Sequence, residues 1–201
     1  MEYLLGAIAF GLNLYLLLEP ETPPSLWPYF LLMAMSWVGG YAARYTFGDE
    51  SWQYLIFWCG ITALILGWVV LLAVLALKSI SRYPWRLGVT ALFISGIFAR
   101  LAYVYAEPLT AAQWAVLVEA LVLVWAGTIS GGCAPYIKNG DLYFGLGLFW
   151  LAQGLADYGW LLHWEGKSSL WQEASWIFGP SLCIAVFAFL AWRLHGKREF
   201  A

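Results

Sequence analysis

Three helix-sized apolar stretches of the chain carry a charged residue at the same place in a short repeated motif. The motifs are GYAAR at 40–44, GIFAR at 96–100 and GLAD at 154–157, and their charged residues recur at intervals of 56 and 57 residues. A charge inside an apolar membrane helix costs about 2.5–3.5 kcal/mol on the insertion scale, so it is retained where it has a structural or functional role. The charged residue of each motif is therefore a candidate for a binding or gating site.

Arg100 and Glu119 form the first candidate pair. The chain turns near residues 109–110, so each of the two lies roughly 14 Å from the turn at 1.5 Å per residue. Equal depth on neighbouring antiparallel helices allows the two side chains to meet, and a paired charge is better tolerated than a lone one. Two interpretations stay open: a structural salt bridge that fixes the register of the hairpin, and a gate or solute contact.

Asp157 is the third motif's charge, and Gln153 lies one helical turn before it. Residues four apart are neighbours on one helix face, so we expect the amide and the carboxyl group to lie side by side. Gly154, next to Gln153, lets another backbone approach closely. Both polar residues are therefore candidates for the same site.

If the repeat reflects structural symmetry, Arg44, Arg100 and Asp157 converge in the outer half of the bundle. Their charges sum to +1, and Glu119 brings the sum to zero. A neutral sum favours a closed ion network, whereas an anion or zwitterion slot requires one of these pairings to open. Arg44 is shallow, and its alternative role is to extend its side chain to the outer surface.

Five further residues are secondary candidates because they are aromatic or acid–base side chains near the same positions. They are Trp37, Tyr103, Trp114, His163 and Glu165. Trp37 shares a helix face with Arg44, and Tyr103 shares one with Arg100. His163 with Asp157 or Glu165 would suit a lipid-modifying enzyme at the outer interface. No residue pattern predicts a metal centre.

The composition places these residues in a membrane protein. Of the 201 residues, 63% are hydrophobic and only 11% are charged, whereas soluble domains carry about 25% charged residues. We therefore predict an all-α integral membrane protein that forms a single polytopic domain over residues 1–201. Nearly all of the chain is needed to cross the bilayer.

Seven apolar segments are near the length of about 20 residues needed to cross the hydrocarbon core. The predicted spans are 3–18, 27–47, 53–77, 86–106, 112–136, 141–163 and 173–194. The repeated motifs group the last six into three helical hairpins, 27–77, 86–136 and 141–194, preceded by one extra helix. Weak internal symmetry of this kind is common in transporters.

The basic residues in the loops predict the orientation. One side of the predicted membrane collects seven of them: Lys78, Arg82, Arg86, Lys138, Arg193, Lys197 and Arg198. The positive-inside rule then places the C-terminus in the cytoplasm and the N-terminus outside, in a bacterial or archaeal cytoplasmic membrane. The basic residues are scattered along the chain, so no nucleic-acid partner is predicted. The predicted partners are the lipid bilayer and either further copies of the chain or other membrane subunits.

Two functions follow from this organisation. The first is a transporter or channel for a small solute, an anion or a carboxylate, because ionisable residues inside a membrane mark solute paths. The second is a non-catalytic subunit or assembly factor of a larger membrane complex. No metalloprotease, serine-hydrolase or phosphate-loop motif is present, so neither enzymatic activity nor a cofactor is predicted.

Overall fold

The computed structural model describes residues 2–48, 51–80, 84–105, 111–163 and 169–198. Within these residues the chain folds into seven α-helices and two short 3-10 helices, with no strand. The α-helices are α1 (Glu2–Leu18), α2 (Trp27–Phe47), α3 (Trp52–Lys78), α4 (Pro84–Tyr105), α5 (Ala111–Cys133), α6 (Gly140–His163) and α7 (Ser169–Arg198), and the 3-10 helices are Pro24–Leu26 and Ala134–Tyr136. The prediction of an all-helical fold with seven helices is confirmed.

Each α-helix coincides with one predicted apolar segment. The largest difference is at α7, which extends from 169 to 198 where 173–194 was expected. Two helical segments of the described residues are long and apolar enough to cross a bilayer, Trp52–Lys78 and Gln113–Tyr136. The structure therefore supports two candidate spans, and the other five remain a prediction.

In the connection between α2 and α3, a glycine ends the first helix and a serine caps the second. Gly48 adopts a positive φ of 80°, and its N–H donates to the carbonyl of Arg44 at 2.9 Å. Glycine is favoured there because it has no Cβ to oppose a left-handed conformation. Ser51 then caps α3, since its Oγ accepts a hydrogen bond from the Tyr54 N–H at 3.1 Å.

Six of the helices form a closed ring in the order α1, α2, α3, α5, α6, α7 and back to α1. Helix α4 lies outside this ring and packs mainly on α5. The predicted hairpins α2/α3, α4/α5 and α6/α7 all pack as pairs, but they do not occupy equivalent positions because α4 is outside. The most extensive helix pair is α5/α6, whose members belong to different predicted hairpins.

The α5/α6 pair is close because glycines face each other across it. A Cβ on Gly127 would lie 2.7 Å from the Gly147 carbonyl oxygen, and one on Gly147 would lie 2.7 Å from the Gly131 nitrogen. Nearer the other end of the pair, a Cβ on Gly154 would lie 2.9 Å from the Ala120 carbonyl oxygen. Small residues at these points let two backbones touch, as in membrane helix pairs. The predicted close approach at Gly154 is observed.

The bundle has two ends that differ in their charged residues. At the first, which we call the Arg44 end, α2 and α6 finish and α3 and α5 begin. At the opposite, Asp141 end, an exposed ion pair joins Arg193 of α7 to Asp141 at the start of α6, with the guanidinium donating. Exposed ion pairs contribute little stability, so this one chiefly marks the register of the two helices.

Candidate functional site

A cavity of about 380 Å³ lies between the helices of the ring. Its lining comes from five helices, α2, α3, α5, α6 and α7. The volume is in the range of small-molecule sites, about 300–1,000 Å³. Most of the lining is apolar and aromatic, with a small number of polar side chains among it, which is the usual composition of a binding pocket.

Helix α2 contributes one face of the cavity through residues spaced three and four apart. Trp37, Gly40, Tyr41 and Arg44 all line it, as expected for positions that share a helix face. The rings of Trp37 and Tyr41 are stacked with centroids 6.4 Å apart and an interplanar angle of 25°. The predicted shared face of Trp37 and Arg44 is therefore confirmed.

Helix α3 contributes a second aromatic pair on the neighbouring wall. Tyr54 and Trp58 meet edge to face with centroids 6.0 Å apart. Gly40 of α2 admits the Trp58 indole, because a Cβ at Gly40 would lie only 3.0 Å from Trp58 Cζ2. The glycine of the GYAAR motif thus lets a tryptophan from α3 close the wall of the cavity against α2.

Helices α5 and α6 bring acidic and amide groups to the cavity. Glu119 and Gln153 line it, and the Gln153 Nε2 donates to Asp157 Oδ1 at 3.0 Å. The contact of Gly154 with the Ala120 backbone brings this part of α6 against the part of α5 that carries Glu119. Glu119 and Asp157 are close enough for their charges to interact. Two carboxyl groups thus lie at one level, and Glu119 faces the open space.

Aromatic side chains close the deep end of the cavity. The Trp150 Nε1 donates to the Tyr29 hydroxyl at 3.1 Å, and their rings meet edge to face at 5.7 Å. Both side chains are fully buried. Phe187 packs beside them, against Phe30 on one side and Phe149 on the other, each with centroids 5.8 Å apart. We call the buried Tyr29–Trp150 pair the floor of the cavity.

Two buried polar atoms at the cavity have no hydrogen-bond partner within the described part of the chain. They are Nε1 of Trp37, which lines the cavity, and Oδ2 of Asp157 behind Gln153. Buried polar groups are nearly always satisfied, so an exception calls for a water or a ligand. Pro180 of α7 also lines the cavity and has no N–H to continue the helical ladder.

Four of the predicted candidates line the cavity, and a fifth lies directly behind it. The four are Trp37, Arg44, Glu119 and Gln153, and the fifth is Asp157. The structure therefore brings together residues from two of the three charged motifs, with the glutamate of α5. The predicted neighbourhood of Gln153 and Asp157 is confirmed by their hydrogen bond.

The remaining candidates are not among the described residues that line this cavity. Arg100 has an exposed side chain on α4 and is not among the lining residues, whereas Glu119 lines the cavity. The predicted pairing of Arg100 with Glu119 stays a prediction. Trp114 is 47% exposed and also lies away from the lining. The side chains of Tyr103 and His163, and Glu165 altogether, lie outside the described residues.

Sequence reasoning missed the aromatic residues that complete the cavity. Tyr29 and Trp150 are its floor, and Tyr54 and Trp58 are its second wall. The sequence does contain a pattern that indicates the second wall. Tyr54 and Trp58 are four residues apart in α3, as Trp37 and Tyr41 are in α2, and this spacing places two residues on one helix face. No such signal pairs Tyr29 with Trp150, since 121 residues separate them.

No protein-family model matches this chain, and no curated protein or solved structure matches it. The cavity and its lining are therefore the features from which a function is inferred. Among the described residues no group of three or more His, Cys, Asp or Glu side chains is placed to hold a metal ion. The chemistry offered by the lining is that of aromatic faces, an arginine and a glutamate.

Proposed function

We propose that the chain is a seven-span membrane protein that binds a small solute in this cavity and carries it across the bilayer, as a transporter or channel. The observation that carries the proposal is the cavity itself, with Arg44, Glu119 and Gln153 in an otherwise aromatic and apolar lining. Polar side chains inside a membrane bundle are retained where they contact a partner or a solute. Here three of them converge on one open space.

A membrane setting is supported by the apolar residues that the fold leaves uncovered. Only 28% of the most apolar stretch of α3 is buried, although it is long enough to span a bilayer. A core helix of a soluble protein would be covered on most sides. Leu64 is 59% exposed on α3, and Phe93 is 70% exposed on α4. Lipid is the partner that such faces require, and the same reasoning extends the two candidate spans to seven.

The proposed orientation puts the Arg44 end outside. Under the positive-inside rule the basic residues of the Asp141 end face the cytoplasm. The cavity would then receive solute from the outer face, and the Tyr29–Trp150 floor would close the inner side. Transport requires this floor to open in a second conformation, as in proteins that alternate access around a central site.

The alternative is a structural subunit of a larger membrane complex, and the position of α4 favours it. This helix lies outside the ring and exposes Val89, Leu92, Phe93 and Ile97. A helix of another subunit would cover the same face that lipid covers in the first proposal. The two proposals differ in the particle extracted from the native membrane: copies of this chain alone support transport, whereas a particle with other subunits supports the alternative.

The first test of the proposed function asks whether water reaches the cavity at membrane depth. Thr62 of α3 lines the cavity, whereas Leu64 is exposed on the outer surface of the same helix, about 3 Å further along it. We expect a charged methanethiosulfonate reagent to label Thr62→Cys rapidly in membrane vesicles and to label Leu64→Cys hardly at all. Each variant is made in a background lacking the native cysteines, Cys59, Cys133 and Cys183.

Labelling at position 62 but not at 64 supports a water-filled cavity surrounded by lipid. Equal labelling at both positions would mean that α3 is surrounded by water, which would overturn the membrane setting. Labelling at neither would mean that the cavity is sealed from water, which would overturn the solute site. Neither outcome depends on knowing the solute.

A further inference from the structure

We propose that the solute is a small organic cation and that Glu119 is its counterion in the cavity. This inference rests on the proposed solute-binding function and names the class of solute. It is carried by a surplus of carboxyl groups at one depth of the cavity, by aromatic rings at nearly the same depth and by the hydrogen-bond acceptors of the lining.

The two carboxyl groups lie at nearly the same depth from the Arg44 end of the bundle. Gly154 of α6 contacts Ala120 of α5, and each is nine residues from that end, so the two helices are in register there. Glu119 is eight residues from the start of α5, and Asp157 is six residues from the end of α6. These positions correspond to depths of about 12 Å and about 9 Å at 1.5 Å per residue. Because the two groups are also close enough for their charges to interact, they act on the same level of the cavity.

These carboxyl groups outnumber the basic residues of the cavity. Within the described part of the chain the basic residue of the lining is Arg44, and one arginine can balance only one carboxylate. Asp157 Oδ2 is buried and has no hydrogen-bond partner among the described residues. A cation in the cavity would offset the remaining negative charge, whereas an anion would add to it. The lining therefore favours a cation over the anion expected from two arginines, since Arg100 is not among the described lining residues.

Aromatic rings lie at nearly the same depth as Glu119. Tyr41 is six residues from the end of α2 and Trp58 is six residues from the start of α3, so both lie about 9 Å from the same end. Both line the cavity, and Gly40 lets the Trp58 indole pack against α2. Aromatic faces attract ammonium groups, above all quaternary ones. Rings on two neighbouring helices and a carboxylate on the next helix of the ring are therefore available to one cation.

The uncharged polar groups of the lining offer mostly acceptors. Gln153 lines the cavity while its Nε2 donates to Asp157, so its carbonyl oxygen is the amide atom left for a solute. The Ser36 hydroxyl donates to the Met33 carbonyl at 2.7 Å, so its oxygen can only accept from a solute. The unsatisfied donor at Trp37 Nε1 suits a hydroxyl oxygen on the same solute. A cation that also carries a hydroxyl group matches this set.

The probes for the test are choline and 3,3-dimethylbutan-1-ol, which has the same shape and hydroxyl group but carbon in place of the charged nitrogen. Binding is measured by calorimetry on the full chain in nanodiscs, with empty nanodiscs as the blank for uptake by lipid. The buffer is alkaline, because a proton competes with an organic cation for a carboxylate. We expect choline to bind about tenfold more tightly than the alcohol, which corresponds to about 1.4 kcal/mol of binding free energy.

Two variants assign this preference to the carboxylate and to the rings, each with a matched control. Glu119→Gln is expected to remove the preference for choline, because it removes the counterion; Asp141→Asn changes an exposed carboxylate at the opposite end and should leave it unchanged. Trp58→Leu is expected to weaken choline binding about fivefold and to affect the alcohol less, because a ring face attracts only the cation. Its control is Trp52→Leu, since Trp52 is 67% exposed on the same helix and is not a lining residue.

Equal binding of choline and the alcohol by the parent chain would overturn the proposal and would favour the predicted pairing of Glu119 with Arg100. A preference for choline that survives in Glu119→Gln would overturn the assignment of the counterion. Failure of both probes to bind at millimolar concentration would overturn the proposal as well. None of these results would overturn the proposed function, because labelling of Thr62→Cys reports on the cavity without any solute. The comparison of the two probes on the parent chain keeps the test decisive if a variant does not fold.

Discussion

Replacement of Gly147 by valine is expected to separate α5 from α6 and to lower the free energy of unfolding strongly. A Cβ at this position would lie 2.7 Å from the Gly131 nitrogen and 3.0 Å from the Gly127 carbonyl oxygen. Both contacts are backbone atoms, which cannot rotate away as a side chain can. Overpacking typically costs about 1–3 kcal/mol and sometimes more, and we expect the upper end here. Unfolding in mixed detergent micelles measures the change.

The matched control for this prediction is Gly60→Val. Gly60 is also in the middle of a helix, but no atom lies within 4 Å of a Cβ built there. The control should change the free energy of unfolding by less than about 1 kcal/mol, the range of helix propensities. A Gly147→Val protein as stable as Gly60→Val would mean that α5 and α6 are not in backbone contact.

Replacement of Trp150 by alanine is the second change with a large expected effect. Trp150 is fully buried, packs on Tyr29 and donates a hydrogen bond to its hydroxyl. Truncating a buried tryptophan costs about 3–5 kcal/mol, because contacts are lost and a cavity is left. In addition, the floor of the cavity would open. The expected result is a less stable protein through which small ions leak in proteoliposomes.

Two further variants test whether the expected loss of stability comes from the burial of Trp150. Trp150→Phe keeps an aromatic ring but loses the donor, so we expect an intermediate loss of stability without a leak. Trp192→Ala removes a tryptophan that is 66% exposed, and its effect should be small. If Trp150→Ala unfolded at the same denaturant concentration as Trp192→Ala, then Trp150 would not be a buried floor residue.

The helices could be predicted from the sequence because their apolar runs are long and separated by strong breakers. Gly48 illustrates this: it ends α2 where a glycine, an aspartate and a glutamate follow one another, and its positive φ explains the choice of residue. Faces within one helix could be predicted as well, since Trp37 and Arg44 follow directly from the helical repeat.

Contacts between residues of different helices were harder to predict than the faces of a single helix. Arg100 and Glu119 lie at equal depth in one hairpin, yet depth does not decide which way each side chain faces. Glu119 faces the ring interior because α5 packs between α3 and α6, and α4 is left outside. The glycines that hold α5 against α6 decide this arrangement, and a glycine in a sequence does not reveal which partner it will face.

Flux into proteoliposomes tests most directly the proposal that a small solute passes through the cavity. Gly40→Leu would fill the space between α2 and Trp58, while Gly60→Leu adds the same side chain where nothing lies within 4 Å. Both variants are first shown to be folded by their unfolding transitions.

Uptake of acetate, glycine, trimethylglycine and choline is then compared with protein-free liposomes. We predict that the parent chain and Gly60→Leu carry at least one of these solutes, and that Gly40→Leu falls to the protein-free rate. Uptake by Gly40→Leu equal to that of the parent, or no uptake by the parent above the protein-free rate, would contradict the claim.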